Sequence, residues 1–173
     1  MPSIDEGKDT VVEWACNRFI QGTTCLDVGP SDGKWYNLLG HHFTMDAVEI
    51  FQPYIDRYHL RDYYRNVRCA DIADVHYDWY DLIIFGDVIE HMTVPQAQAV
   101  LTYARHHCSD MIVAVPFLYA QPPCNGNMYE EHIQPDLTPE LFAKRYPGFK
   151  LLCQPLDNYA YYIKTPHYPY AKE

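Results

Sequence analysis

The sequence predicts an α/β protein: a largely parallel sheet covered by helices on both faces and finished by an antiparallel hairpin. Three observations carry this expectation. Short β-branched and apolar runs alternate with helix-period segments from about residue 10 to residue 117. Two of those runs, Asp81–Gly86 (DLIIFG) and Met111–Phe117 (MIVAVPF), are almost wholly apolar, as strands buried on both faces are. The last patterned runs, Phe149–Cys153 and Tyr159–Lys164, stand close enough in the chain to pair directly.

The elements follow in order. Thr10 to Ile20 places Val11, Val12, Trp14, Ala15, Phe19 and Ile20 at helical spacing, with Asp9 or Thr10 as cap. Thr23–Val28 is a strand that stops at Gly29-Pro30, and Ser31 to Leu39 is a helix that stops at Gly40. Phe43–Ile50 is the second strand, Pro53–His59 a helix with proline in its first turn, and Val67–Ala70 a short third strand. Asp81–Gly86 is the fourth strand, Pro95–His107 a helix, and Met111–Phe117 the fifth strand. Leu118–Leu137 is rich in proline, asparagine and glycine and has no period. A connection of that length in a compact domain is expected to be an active-site cover. Thr138-Pro139 caps and opens a helix to about Arg145, and the hairpin closes the sheet at seven strands. The final TPHYPYAKE is expected to be a loose tail.

Length and composition bound the function. A chain of 173 residues with 48% hydrophobic and 21% charged residues fits one domain over residues 1–173. A net charge of −10 disfavours a nucleic-acid groove or an anionic membrane as partner. No apolar run is long enough to span a bilayer, and the first residues lack the parts of a secretion signal. The six cysteines are dispersed, with no C-x-x-C, and are expected to be free, mostly buried thiols. A cytoplasmic protein with a small-molecule ligand is the expectation, and self-association into a homodimer stays open.

The most informative segment is Cys25-Leu26-Asp27-Val28-Gly29-Pro30-Ser31-Asp32-Gly33, a strand running into a glycine turn and then a helix. Ligand is expected at such a strand end. A phosphate loop is excluded because Gly29 to Gly33 is one residue short and Trp35 stands where a hydroxyl would be needed. The dinucleotide fingerprint lacks its middle glycine, since position 31 is serine. Instead, acids close three successive strands: Asp27, Glu49 and Asp71. A carboxylate 22 residues after the first is placed to accept ribose hydroxyls. The ligand implied has a ribose, a positive centre and an amino group, but no phosphate.

On LDVGPSDG, AVEI, ADI and DLIIFGDVIEHM, the chain from about Val11 to Lys164 resembles the class I S-adenosylmethionine-dependent methyltransferases, in particular the small type 11/12-like members. The resemblance implies a Rossmann-like seven-stranded mixed sheet whose last strand is antiparallel. It also implies S-adenosylmethionine as cofactor and S-adenosylhomocysteine as product. By the same resemblance Asp27, Gly29 and Gly33 hold the methionine and ribose region, and Glu49 takes the ribose hydroxyls. Ile50 and Ile72 pack on the adenine, Asp71 binds its amino group, and Gly86 and Asp87 lie beside the sulfonium. Ser31 is a departure from the family loop, which has glycine there.

Methyl transfer needs alignment first and a base only where the nucleophile is protonated. His91, in Asp87-Val88-Ile89-Glu90-His91-Met92, and His132, in the expected cover, are the candidate catalytic residues. If 87–92 is helical, Asp87, Glu90 and His91 share one face. With His132 that set resembles the E-x-x-E-H…H pattern of metal-dependent RNA 2′-O-methyltransferases, Asp87 replacing the first glutamate. The acidic chain disfavours RNA, and no metal is assigned. The expected function is methyl transfer from S-adenosylmethionine to an O or N atom of a small acceptor, such as a modified sugar. The alternatives are a non-catalytic S-adenosylmethionine-binding subunit or regulator, and a metal-dependent O-methyltransferase. The many tyrosines, among them Tyr63-Tyr64 and Tyr159–Tyr162, are expected to serve as wall and interface residues.

Overall fold

A computed structural model describes residues 4–165; from residue 166 onward the expected tail lies outside the described residues. Seven strands form one sheet: β1 Thr24–Val28, β2 Thr44–Glu49, β3 Asn66–Cys69, β4 Tyr80–Gly86, β5 Cys108–Pro116, β6 Lys150–Leu156 and β7 Tyr159–Lys164. Their spatial order is β3-β2-β1-β4-β5-β7-β6. β1 to β5 pair in parallel, whereas β7 runs antiparallel to both β5 and β6. The order reverses between β1 and β4, and in an open sheet a ligand crevice forms at the carboxyl ends of such neighbours.

Five helices cover the sheet: α1 Lys8–Arg18, α2 Lys34–Leu39, α3 Gln52–Arg57, α4 Val94–Arg105 and α5 Pro139–Arg145. Strand alternation divides the apolar residues between the two faces. Leu82, Ile84, Ile112 and Ala114 pack with Val11 and Ala15 of α1, Trp35 and Leu39 of α2, and Ile55 of α3. Ile83, Phe85, Val113 and Val115 pack with Ala97, Val100, Leu101 and Ala104 of α4 and Phe142 of α5. The Phe142 ring stacks on Tyr162 with centroids 3.9 Å apart, fixing α5 against β7.

The predicted ends move for physical reasons. α1 begins two residues before the expected Thr10, behind Gly7 at φ 81, so neither Asp9 nor Thr10 is its cap. α2 begins at Lys34 because Ser31 and Gly33 both take positive φ, which no helix accommodates. α4 starts one residue before Pro95 on a capping box of Thr93 with Gln96. The stretch 87–92 is not a continuous helix: Asp87 sits at φ 57 and only Ile89–His91 makes a 3₁₀ turn. Asp87 therefore leaves the face expected to carry it with Glu90 and His91. All six cysteines are free, but only Cys25 and Cys108 are buried; Cys16, Cys124 and Cys153 are half-buried, and Cys69 is exposed because β3 is an edge strand with little packed on it.

Candidate functional site

The crevice at the carboxyl ends of β1, β2 and β4 opens into a cavity of about 710 Å³, within the range of about 300–1,000 Å³ that ligand sites occupy. Gly29, Glu49, Ile50, Asp71, Ile72, Gly86, Asp87, His91 and His132 all line it. Asp27 and Gly33 are not among the lining residues. Asp27 is fully buried behind the turn, where its Oδ2 accepts the Tyr64 hydroxyl proton at 2.5 Å and its Oδ1 has no partner among the described residues. Gly33 is buried at the start of α2, with Leu60 the nearest side chain.

The glycine turn shapes the near wall. Gly29 has φ 67, and a Cβ there would stand 2.9 Å from Val88 Cγ2, so any side chain would be strained and crowd Val88. Its N–H donates to the Val48 carbonyl at 2.9 Å, tying the turn to β2. Ser31 takes φ 50 despite having a side chain, and its N–H donates to Glu49 Oε2 at 3.2 Å. The Phe51 N–H donates to the other oxygen, Oε1, at 2.9 Å. Glu49 is thus fixed in orientation, with each oxygen retaining a lone pair for a ligand hydroxyl. Asp71 is held in turn by the Ala73 N–H on Oδ1 at 2.9 Å.

At the end of β4 the wall is equally tight. A Cβ on Gly86 would meet Trp35 Nε1 at 2.3 Å, so the indole lies directly against bare backbone. The next residue, Asp87, is gripped by the Tyr159 hydroxyl, 2.7 Å from each carboxylate oxygen. The sequence placed Tyr64 and Tyr159 only as wall residues. Their signal is visible only in three dimensions, where each hydroxyl meets a carboxylate far away in the chain.

The segment 118–137 forms the far wall, with Tyr119, Gln121, Asn127, Glu130 and His132 facing the cavity. It is pinned at its base by the Leu118 N–H on the Leu137 carbonyl at 2.9 Å. It is also clipped to the 3₁₀ turn. Gln134 Nε2 donates to the carbonyls of Ile89 and Met92, and the N–H groups of Ile133 and Gln134 donate to that of Glu90. These bonds bring His132 against His91, their rings 4.8 Å apart and nearly perpendicular. His91 Nδ1 bonds the Glu131 carbonyl at 3.0 Å and His132 Nδ1 the Tyr119 carbonyl at 2.9 Å. A carbonyl only accepts, so Nδ1 is the protonated nitrogen in both rings and Nε2 carries the lone pair.

The electrostatics are acidic. Among the described residues, Asp32, Glu49, Asp71, Asp87, Glu90 and Glu130 line the cavity with the cation Lys34. Burial raises the Glu49 carboxyl, opposed by its backbone donors. Burial pushes Asp27 up to about 7, with Tyr64 pulling it down and the charge of Glu49 pushing it up. Glu90 is raised well above its ordinary value by burial and then by Asp87. Burial lowers His91, and it lowers His132 to about 4, so the His132 imidazole is neutral at pH 7.

No family model matches the chain, and no curated protein does. Solved structures match over nearly its whole length. An S-adenosylmethionine-dependent methyltransferase from Clostridium acetobutylicum aligns with TM-score 0.69 over 92% of this chain and 91% of its own, at 13% identity. Magnesium protoporphyrin IX methyltransferase from Synechocystis, solved with bound SAM, aligns with TM-score 0.63 over 90% and 76%, at 14% identity. A putative O-methyltransferase from Nostoc punctiforme gives 0.65 over 93% and 56%, at 14% identity. At such identities the likeness is one of architecture, and it reproduces the sheet order with its antiparallel end: the chain has the fold of the S-adenosylmethionine-dependent methyltransferases.

Proposed function

We propose that this chain is an enzyme that transfers the methyl group of S-adenosylmethionine to an O or N atom of a small acceptor. The observation that carries this is the set of acids Glu49, Asp71 and Asp87 at strand ends around one cavity, with Glu49 held by two backbone donors. Such a lining favours a ligand that is cationic and bears a ribose, and it disfavours nucleoside polyphosphates by like-charge repulsion.

Glu49 accepts from the ribose hydroxyls, while Ile50 and Ile72 pack on the adenine and Asp71 accepts from its amino group. The Gly29 turn lets backbone approach the methionine portion, with Asp27 buried behind it and bonded to the Tyr64 hydroxyl. Gly86 and Asp87 border the reacting centre. The cofactor supplies the activated methyl group when bound, so the chain's task is alignment of the acceptor and removal of its proton. His91 and His132, with their Nε2 lone pairs, serve the acceptor end.

The experiment is a binding comparison coupled to an acceptor screen. Glu49→Ala weakens S-adenosylhomocysteine binding by about 1.5–3 kcal/mol, the scale of hydrogen bonds to a charged group. Calorimetry reads this as a rise in Kd of about 10-fold or more. Glu49→Ala binding that equals wild type would remove the ribose assignment. Release of S-adenosylhomocysteine in the presence of one acceptor from a panel of hydroxylated and aminated metabolites identifies the substrate.

A further inference from the structure

A second cavity lies at the opposite end of the sheet from the crevice just described. It holds about 470 Å³ and is lined by His76, Tyr77, Asp78, Trp79, Tyr103 and His107. Residues 76–79 lead into the amino end of β4, and Tyr103 and His107 stand where α4 ends and β5 begins. The crevice opens at the carboxyl end of β4, a strand of seven residues, so the two cavities are separated by roughly 20 Å of extended chain. The methyl-transfer reading makes no use of this second cavity. Every residue in its lining except Asp78 carries an aromatic ring.

The rings are set at right angles and held there. Tyr103 stacks on His107 with centroids 4.0 Å apart. Tyr77 stands at 81° to the first ring and 77° to the second. The Tyr103 hydroxyl accepts from the Tyr77 N–H at 3.4 Å and donates to the Tyr77 carbonyl at 3.3 Å. His107 Nδ1 bonds the Tyr103 carbonyl at 2.8 Å. A carbonyl only accepts, so that nitrogen carries the proton and Nε2 keeps a lone pair. Trp79 completes the rim: it is 55% exposed, and its indole stacks on no other ring among the described residues. Asp78 is exposed and forms no ion pair among the described residues.

We propose that this cavity binds a small organic ammonium ion, with alkylated amines preferred. Ring faces attract a cation through their quadrupole, tryptophan most strongly and tyrosine next. Rings at right angles bound a compact charge from two sides, whereas a flat sugar or base needs one open face. Asp78 adds the opposite charge to the lining, which holds no lysine or arginine. An anion would therefore meet repulsion there, and the net charge of −10 draws cations toward the surface. An alkylated nitrogen also gives up less hydration than a bare ammonium on entering an aromatic site.

The test titrates the full chain at pH 8 with choline and with dimethylbutanol, its uncharged isostere in which carbon replaces the quaternary nitrogen. Binding is followed in the protein's NMR spectrum, where Trp79 contributes one of three indole N–H signals. The signal missing from Trp79→Ala identifies it. That signal is expected to move saturably with choline, and the isostere to bind at least ~10-fold more weakly. Trp79→Ala and Asp78→Asn, both at exposed positions, each weaken choline binding by roughly 3–30-fold, the scale of one lost cation–π or charge contact. Circular dichroism verifies folding, and Trp79→Leu replaces Trp79→Ala if the latter does not fold. Movement of the Trp35 signal alone would place choline in the first cavity and overturn the site. So would equal affinity for the isostere, a choline Kd unchanged in either variant, or no saturable binding in the millimolar range.

Discussion

His132→Ala lowers methyl-transfer turnover by ~10²–10⁴-fold, the usual worth of a group that handles the reacting proton, and leaves S-adenosylhomocysteine affinity within about twofold of wild type. The expectation follows from where His132 stands. It belongs to the far wall and is almost fully buried, with Nδ1 committed to the Tyr119 carbonyl and its ring against His91. The residues assigned to the cofactor come from the strand ends on the opposite side. In the proposed reading His132 therefore serves the acceptor, as the group that takes its proton.

The pH profile carries a second mark of the same residue. Burial lowers the imidazole to about 4, so protonation does not remove its lone pair until pH falls well below 6. The acid limb of wild-type activity therefore lies below pH 6, whereas an ordinary histidine would place it near 6.5. If His132 acts as the base, the loss in His132→Ala shrinks as pH rises, because an acceptor that ionises unaided no longer needs it. Near-normal turnover, or a variant whose only defect is weakened cofactor binding, would contradict the assignment.

Asp27→Asn stabilises the folded protein at pH 8 by up to about 4 kcal/mol, and by less than half of that near pH 5. The cause is a carboxyl that burial raises from 3.8 to about 7. Between those values the folded chain holds a proton that the unfolded chain has released. Stability from this group is therefore greatest below pH 4 and declines as pH rises to 7, above which the loss is complete. Tyr64 donates to one oxygen, but the other has no partner among the described residues, so the hydrogen bond does not cancel the cost of burying the charge. Asparagine keeps the shape and an acceptor for the Tyr64 hydroxyl while removing the charge. Urea unfolding of both proteins at the two pH values measures the difference, and titrations common to both cancel. A stability difference independent of pH would show that Asp27 is ionised throughout.

Much of the fold was legible because each strand carried its own signal. DLIIFG and MIVAVPF read as strands buried on both faces, and YAYYIK is β7 over the same residues that its alternation gave. Thr138-Pro139 likewise opened α5 where capping chemistry put it. The errors fall where local conformation departs from periodicity. Asp87 takes a left-handed backbone and turns toward Tyr159, which no helical wheel anticipates. Ser31, the departure from a glycine loop, nevertheless adopts the left-handed backbone that glycine would take there.

The site was legible in part. Glu49, Asp71 and Asp87 reach one cavity as their positions at strand ends implied, because parallel strands in register deliver their carboxyl ends to one edge. Asp27 has the same sequence signature yet lies behind the wall, since its neighbour Tyr64 draws it inward. The meeting of Glu90, His91 and His132 depends on Gln134 clipping the far wall to the 3₁₀ turn, a contact spanning over forty residues. The likeness to the E-x-x-E-H…H pattern grouped these residues with Asp87, but nothing in the spacing showed Gln134 as the clip or Asp87 turning away.

Titration calorimetry with S-adenosylmethionine and S-adenosylhomocysteine, with NAD and ATP as comparisons, tests the central claim most directly. The acidic, phosphate-averse cavity predicts one saturable site per chain for each of the first two, the second displacing the first, and no binding of the others. Silence with both sulfur ligands while NAD or ATP binds would contradict the account at its root.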